Sequence, residues 1–202
     1  MLYDLTQTLN EDTPVYPGDP KVKIEPAGTI QKDSFCDHLL TMGTHNGTHM
    51  DAPEHMIDGG KGLKEYPVDR FVVPAVCIDV RNGFDAAKIA EEITDDGLGI
   101  LFYTGASDYF TDEKYWHEYL VPDEATIKLL IDKKVPMVGV DTGSFDNEED
   151  FPVHKALLGA DILLIENLTN LAPLAGKKFE LYALPIKLEQ DGAPARVLAK
   201  TE

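Results

Sequence analysis

Four short apolar runs, each closing on a polar residue, constrain this chain more than any other feature. Phe71–Ile78 runs into Asp79, Leu98–Tyr103 into Thr104, Val135–Val140 into Asp141, and Asp161–Ile165 into Glu166. Each has the length and make-up of a buried strand, and Phe179–Leu188 reads as a further one. Between them lie stretches with helical spacing. Ala86, Ile89, Ala90 and Ile93 line one face of Asp85–Asp96, and Val153–Leu158 predicts a short helix. Pro122 is expected as the first residue of a helix whose buried stripe is Ile127, Leu130 and Ile131. Strands alternating with helices predict an α/β fold, and Pro74 near the start of the first run points to an edge or a bulge there. Extended segments before residue 50, punctuated by Pro17-Gly18-Asp19, predict an additional β layer at the start. The 202 residues hold no internal repeat or linker-like stretch, so a single domain over 1–202 is expected.

Polar residues at the carboxyl ends of apolar strands are where α/β sheets commonly build their sites. Asp79 is expected only to cap its own turn. The densest chemistry lies elsewhere: residues 45–55 read His-Asn-Gly-Thr-His-Met-Asp-Ala-Pro-Glu-His, three of the six histidines in the chain. His45, His49 and Asp51 have the make-up of a two-histidine, one-carboxylate metal site, with His55 as a further ligand or a base. A straight strand at ~3.3 Å per residue sets His45 and His49 about 13 Å apart, too far to share an ion with bonds near ~2 Å. Gly47, Thr48 and Pro53 oppose a helix. The segment is therefore expected to be a strand, entered from Leu39–Thr44, that curls at Asn46-Gly47 and exits at Pro53.

Composition narrows the partners. The 36 acidic and 18 basic residues give a net charge of −18, which disfavours nucleic acid and anionic membranes. A small anionic substrate remains compatible, because a bound cation reverses the local field. The first residues show no basic stretch leading into an apolar one, and no apolar run approaches the ~20 residues of a spanning helix, so a cytoplasmic, reduced protein is expected. The two cysteines, Cys36 and Cys77, form no CxxC pair and are expected to be packing residues. Gly59-Gly60-Lys61-Gly62 lacks the spacing of a phosphate loop and reads as a mobile loop after the histidine segment. Asp146–Asp150 reads as a solvated acidic turn, and His38, Trp116 and His117 as packing or surface residues.

The segment His45–His55 resembles the HxGTHxDxPxH signature of the metal-dependent cyclase family, which includes bacterial kynurenine formamidases and isatin hydrolases. Further segments carry the resemblance along nearly the whole chain. Asp4-Leu5-Thr6 with Pro14–Asp19 is similar to the family's N-terminal stretch, Val140–Asp146 to its DTxSxD segment, and Phe151–His154 with Glu166-Asn167-Leu168 to its downstream His and Glu region. The resemblance implies a swivelling β/β/α fold, in homodimers or homotetramers. It implies that His45, His49 and Asp51 hold a first divalent ion, and that Asp51 bridges to a second held by His154 and Glu166. His55 is implied as the general acid/base. Zinc suits these donors best and manganese next.

The reaction expected of such a site is hydrolysis of a small amide C–N bond. A divalent ion lowers the pKa of bound water from about 15.7 to ~7, supplying hydroxide as nucleophile, and His55 suits proton transfer to the leaving nitrogen. The resemblance implies an arylformamidase acting on N-formylkynurenine, with isatin-like cyclic amides or lactones as the alternative. A non-catalytic metal-binding relative is a second alternative, and an Fe(II) oxygenase built on the two-histidine, one-carboxylate set a third. Two departures bear on the substrate. Kynurenine formamidases carry a Trp before Pro-Gly-Asp where this chain has Tyr16, implied as a substrate contact with less stacking area. Thr104-Gly105-Ala106 also lacks the Trp that often follows Thr-Gly.

Overall fold

The computed structural model describes residues 1–117 and 119–202. Its strands are β1 (Leu2–Asp4), β2 (Lys23–Gly28), β3 (Asp37–Thr41), β4 (His49–Asp51), β5 (Val72–Asp79), β6 (Gly99–Tyr103), β7 (Met137–Val140), β8 (Leu163–Glu166), β9 (Lys178–Pro185) and β10 (Gly192–Lys200). Its α-helices are α1 (Ile30–Asp33), α2 (Ala86–Glu92), α3 (Glu124–Asp132) and α4 (Pro152–Gly159). The four apolar runs become β5 to β8, parallel neighbours in the order β5-β6-β7-β8, with α2, α3 and α4 as their crossovers. β9 pairs antiparallel with both β5 and β10, and β10 pairs with β4, which returns to β8. Seven strands, β4 to β10, thus close into a barrel, with β1 alongside β10. β2 and β3 form a separate two-stranded sheet, the additional β layer expected before residue 50.

Residue parity sorts the core into two compartments. Ala75, Cys77, Leu101, Met137, Leu163 and Ile165 fill the barrel interior, joined by Phe179, Leu181 and Val197. The alternate residues, Val76, Ile78, Ile100, Phe102, Val138, Val140 and Leu164, face outward onto Ile89 of α2, Leu130 of α3 and Leu157 of α4. A parallel strand covered on both sides must be apolar at every position, which is why these runs are continuous rather than alternating.

Several boundaries differ from expectation. α2 stops at Glu92, short of Asp96: Ile93 leaves the helical conformation at ψ 76°, its N–H still bonded to the Ile89 carbonyl. Pro122 lies outside α3: the Asp123 carboxylate accepts the Thr126 N–H at 2.7 Å and caps the helix one residue later. Pro74 is not on an edge strand, since β5 is paired on both sides; the β6 ladder begins just after it, at Ala75. β10 has no counterpart among the expected strands. Its buried positions are Ala193, Ala195, Val197 and Ala199, and alanine marks a strand weakly. Cys36 is exposed rather than packed, whereas Cys77 is buried and its thiol is pushed up to about 12 by that burial. The glycine loop is pinned rather than mobile. The Lys61 carbonyl accepts the Glu54 N–H at 3.0 Å, and a side chain on Gly60 would meet the Pro53 backbone at 2.6 Å. Asp79 caps its turn as expected, accepting from Arg81 N at 3.1 Å. No helix among the described residues is long and apolar enough to cross a membrane.

Candidate metal centre

β4 is only three residues long, and its parity decides where the chemistry lies. Met50 points into the barrel, so His49 and Asp51 point outward, beside Glu166 on β8 and beneath α4. His49 is the direct cross-strand partner of Glu166. The acidic and imidazole groups therefore occupy the helix-covered outer wall of the barrel, at the carboxyl ends of β7 and β8.

The turn before β4 brings His45 back to this wall. Gly47 has φ +66°, and the Asn46 side chain accepts the Gly43 N–H at 2.7 Å to close the turn. His45 Nδ1 then lies 2.7 Å from Asp51 Oδ1. His49 donates from Nδ1 to the Gly47 carbonyl at 2.9 Å, which leaves Nε2 as a lone-pair nitrogen aimed at the carboxylates. That Nε2 sits 3.3 Å from Asp51 Oδ1 and 3.4 Å from Glu166 Oε2.

His154, on α4, completes the wall. Its Nδ1 is 2.6 Å from Asp146 Oδ2, and its Nε2 is 3.1 Å from Glu166 Oε1 and 3.8 Å from Asp51 Oδ2. Glu166 Oε1 is held in turn by the Phe145 N–H at 3.0 Å. The expected residues are thus brought together. Donor atoms of His45, His49 and Asp51 lie within 4.8 Å of one another, and so do those of Asp51, His154 and Glu166, with Asp51 common to both sets.

Two buried atoms test whether a cation fits. His49 Nε2 and Asp51 Oδ2 have no hydrogen-bond partner, and both face the cluster. Orphaned buried acceptors are costly unless something positive meets them, and neutral imidazole with ionised carboxylate is the donor set of a divalent ion. Protons occupy that role when no ion is bound. Burial opposes charging the His45 ring, but Asp51, and behind it Asp191, outweigh it and hold the ring up at about 9. Burial likewise opposes His154, yet Asp146 and Glu166 raise it to about 10. His49 is raised by Asp51 and Glu166 against the same burial penalty. The buried Asp51 carboxyl is held well below the usual carboxylate range by His49 and His45.

His55 lies in the short 3₁₀ turn Pro53–His55, stacked on His45 with ring centroids 4.0 Å apart. The cluster opens into a cavity of about 250 Å³ lined on its far side by Tyr16, Trp116 and Phe151. Tyr16 meets Trp116 edge-on at 5.8 Å and Phe151 at 6.4 Å. Trp116 lies so close to Gly143 that a side chain there would come within 2.3 Å of the indole. Phe151 adopts φ +51°, a costly conformation that turns its ring over His154.

Three residues escape the sequence pattern. Asp146 is buried rather than solvated. It accepts the Val153 N–H at 2.8 Å and the His154 N–H at 2.9 Å, capping α4 while orienting the His154 ring. Pro152 at the start of α4 is the one signal that a cap was needed nearby. Trp116 supplies an aromatic wall from the segment after β6, and nothing in its local sequence marks it. Asp191, 2.9 Å from both His45 Nε2 and His55 Nδ1, sits in a turn of ordinary composition. Asp141 faces away from the ligands: it accepts from Thr104 N at 2.8 Å, Thr104 Oγ1 at 2.7 Å and Gly105 N at 3.0 Å.

The chain is similar to known proteins along its whole length. The putative cyclase family model matches residues 3–147, which includes the histidine segment and stops before His154 and Glu166. Kynurenine formamidase of Salinibacter ruber is 34% identical over 98% of this chain and 97% of its own length. Isatin hydrolase A from Labrenzia aggregata superposes with a TM-score of 0.88 at 27% identity, covering 100% of this chain and 94% of that one. A potential metal-dependent hydrolase with cyclase activity superposes at 0.84 with 29% identity, covering 100% and 98%. With a family model over most of its length and relatives matched end to end, the chain belongs to the cyclase family of metal-dependent hydrolases.

Proposed function

We propose that the chain hydrolyses the C–N bond of a small amide carrying an aromatic ring, with an N-formyl arylamine such as N-formylkynurenine as the leading substrate. The observation that carries this reading is the junction of two elements: a donor wall that shares Asp51 between two ligand sets, and an aromatic cavity opening directly onto it. His45, His49 and Asp51 would hold one divalent ion and Asp51, His154 and Glu166 a second, zinc first and manganese next. Such an ion supplies Lewis acidity, acidifying water and polarising a carbonyl.

The chain's own residues do the rest. Tyr16, Trp116 and Phe151 hold the substrate ring by stacking and edge contacts. Water oxygen bonds to the amide carbon, the C–N bond breaks, and the leaving nitrogen takes a proton delivered by His55. Net products are the amine and the carboxylic acid. Cyclic amides of the isatin type are the second reading. They are favoured by the isatin hydrolase neighbours.

The test is metal analysis followed by a panel of N-formylkynurenine, N-formyl anilines and isatin. Turnover of a formyl amide by the zinc- or manganese-loaded chain is expected. Turnover of isatin alone would retain the hydrolase and replace the substrate. An ion-free protein at every pH above neutrality would sink the reading. His49→Ala is expected to lose metal, whereas His55→Ala keeps metal and loses about 10²–10⁴-fold in turnover. Assembly as a homodimer or homotetramer in the cytoplasm belongs to the same proposal. Exposed Phe35, Leu39 and Leu40 on and beside the β2–β3 sheet support the assembly, which size-exclusion chromatography with light scattering checks.

A further inference from the structure

Asp191 ends the turn between β9 and β10, and one of its oxygens faces two imidazoles. Oδ2 lies 2.9 Å from His55 Nδ1 and 2.9 Å from His45 Nε2. Its main chain is tied to the ligand-bearing strand. The Asp191 carbonyl accepts the Ala52 N–H at 2.8 Å, and Gly192 stands opposite Asp51 in the β10–β4 ladder. Gly192 has no room for a side chain: a Cβ there would come within 2.5 Å of the His45 ring. The carboxylate is therefore placed by the barrel itself and not by a free loop.

We propose that Asp191 is a positioning residue for His55, fixing which of its ring nitrogens carries the proton. The catalytic consequence rests on the hydrolase reading above; the placement does not. An ionised carboxylate only accepts, so the hydrogen bond to His55 must come from Nδ1–H. That leaves Nε2 as the basic nitrogen of the ring. Stacking on His45, with an interplanar angle of 28°, hinders a ring flip, which would turn Cδ2 instead of Nδ1 toward Asp191. As Nε2 takes a proton, the carboxylate at Nδ1 stabilises the resulting imidazolium, the role of the aspartate in a Ser-His-Asp triad. The second contact makes Asp191 a link. His45 presents Nδ1 to the Asp51 side and donates from Nε2 to Asp191, so a single carboxylate orients a metal ligand and the acid/base together.

The experiment compares the zinc-loaded full chain with Asp191→Asn and Asp191→Glu. Two-bond ¹H–¹⁵N correlation spectra of histidine-labelled protein read the His55 tautomer, inductively coupled plasma mass spectrometry reads zinc, and steady-state assays split kcat from KM. Expected is His55 protonated at Nδ1 in the parent chain and a mixed or reversed tautomer in Asp191→Asn, with any fall in zinc content far smaller than the fall in kcat. On the best substrate of the panel, kcat should fall about 10²-fold or more with KM within about threefold, and Asp191→Glu should recover part of the loss. An unchanged tautomer in Asp191→Asn overturns the proposal. So does a fall in zinc that accounts for the fall in kcat, which would make Asp191 a ligand or a support of His45 only. Should the parent chain turn over no amide at all, the hydrolase reading fails by itself, and the tautomer spectra still decide the role of Asp191.

Discussion

Loading the stripped protein with zinc should expel protons, and their number is set by the site. Without an ion, the His45 ring is held at about 9 and His154 at about 10, because carboxylates outweigh the burial that opposes their charge. Both rings are almost fully protonated at pH 7.5. Metal ligation requires neutral imidazole. Displacing the protons of His45 and His154 should thus release about two protons per chain at pH 7.5, and the overall affinity should climb about 10²-fold per pH unit between pH 6 and 8. Calorimetric titrations in buffers of unequal ionisation enthalpy measure the protons directly. Stability carries the same sign. A histidine raised above its unfolded value near 6.5 contributes fully below that pH and loses its contribution as pH rises through about 9 to 10. The stripped protein should therefore weaken from pH 6.5 upward while the zinc form does not, widening the gap in Tm between them. Release of fewer than about one proton, or a Tm gap that narrows with pH, would refute the reasoning.

Other perturbations separate the parts of the site. Gly143→Ala drives a methyl group into the Trp116 indole, so KM should rise about three- to tenfold, the worth of one aromatic contact, while zinc content in mass spectrometry stays unchanged. Asp141→Ala strips the shared acceptor from Thr104 N, Thr104 Oγ1 and Gly105 N. It should cost about 3 kcal/mol or more in urea unfolding. Phe102→Ala empties a fully buried site between β6 and the helices, at about 3–5 kcal/mol by the same measurement, again without loss of metal.

Much of this architecture is legible in the residue pattern because its causes are local. β5 to β8 are covered on both faces and so are written as unbroken apolar runs. The histidine segment announces its donors by density, and the turn at Gly47 follows from the impossibility of sharing an ion along a straight strand. Asp146 is hidden because the acidic run around it looks solvated, and only the approach of α4 buries it. β10 is hidden because its interior positions are mostly alanines, chosen by the narrow barrel they fill rather than by strand propensity.

By itself, then, the sequence determined which side chains are available for metal and proton chemistry, and that they ride on an α/β frame. Tertiary structure alone decided three matters. Closure of the barrel through β9 and β10 set the parity of β4, which sends His49 and Asp51 to the outer wall beside Glu166 instead of into the core. It also delivered Asp191 to His55 across 136 residues of sequence, and Trp116 to Tyr16 across 100. Hydrogen bonds and aromatic contacts act over a few ångströms of space, and no spacing along the chain encodes a distance that only strand closure creates.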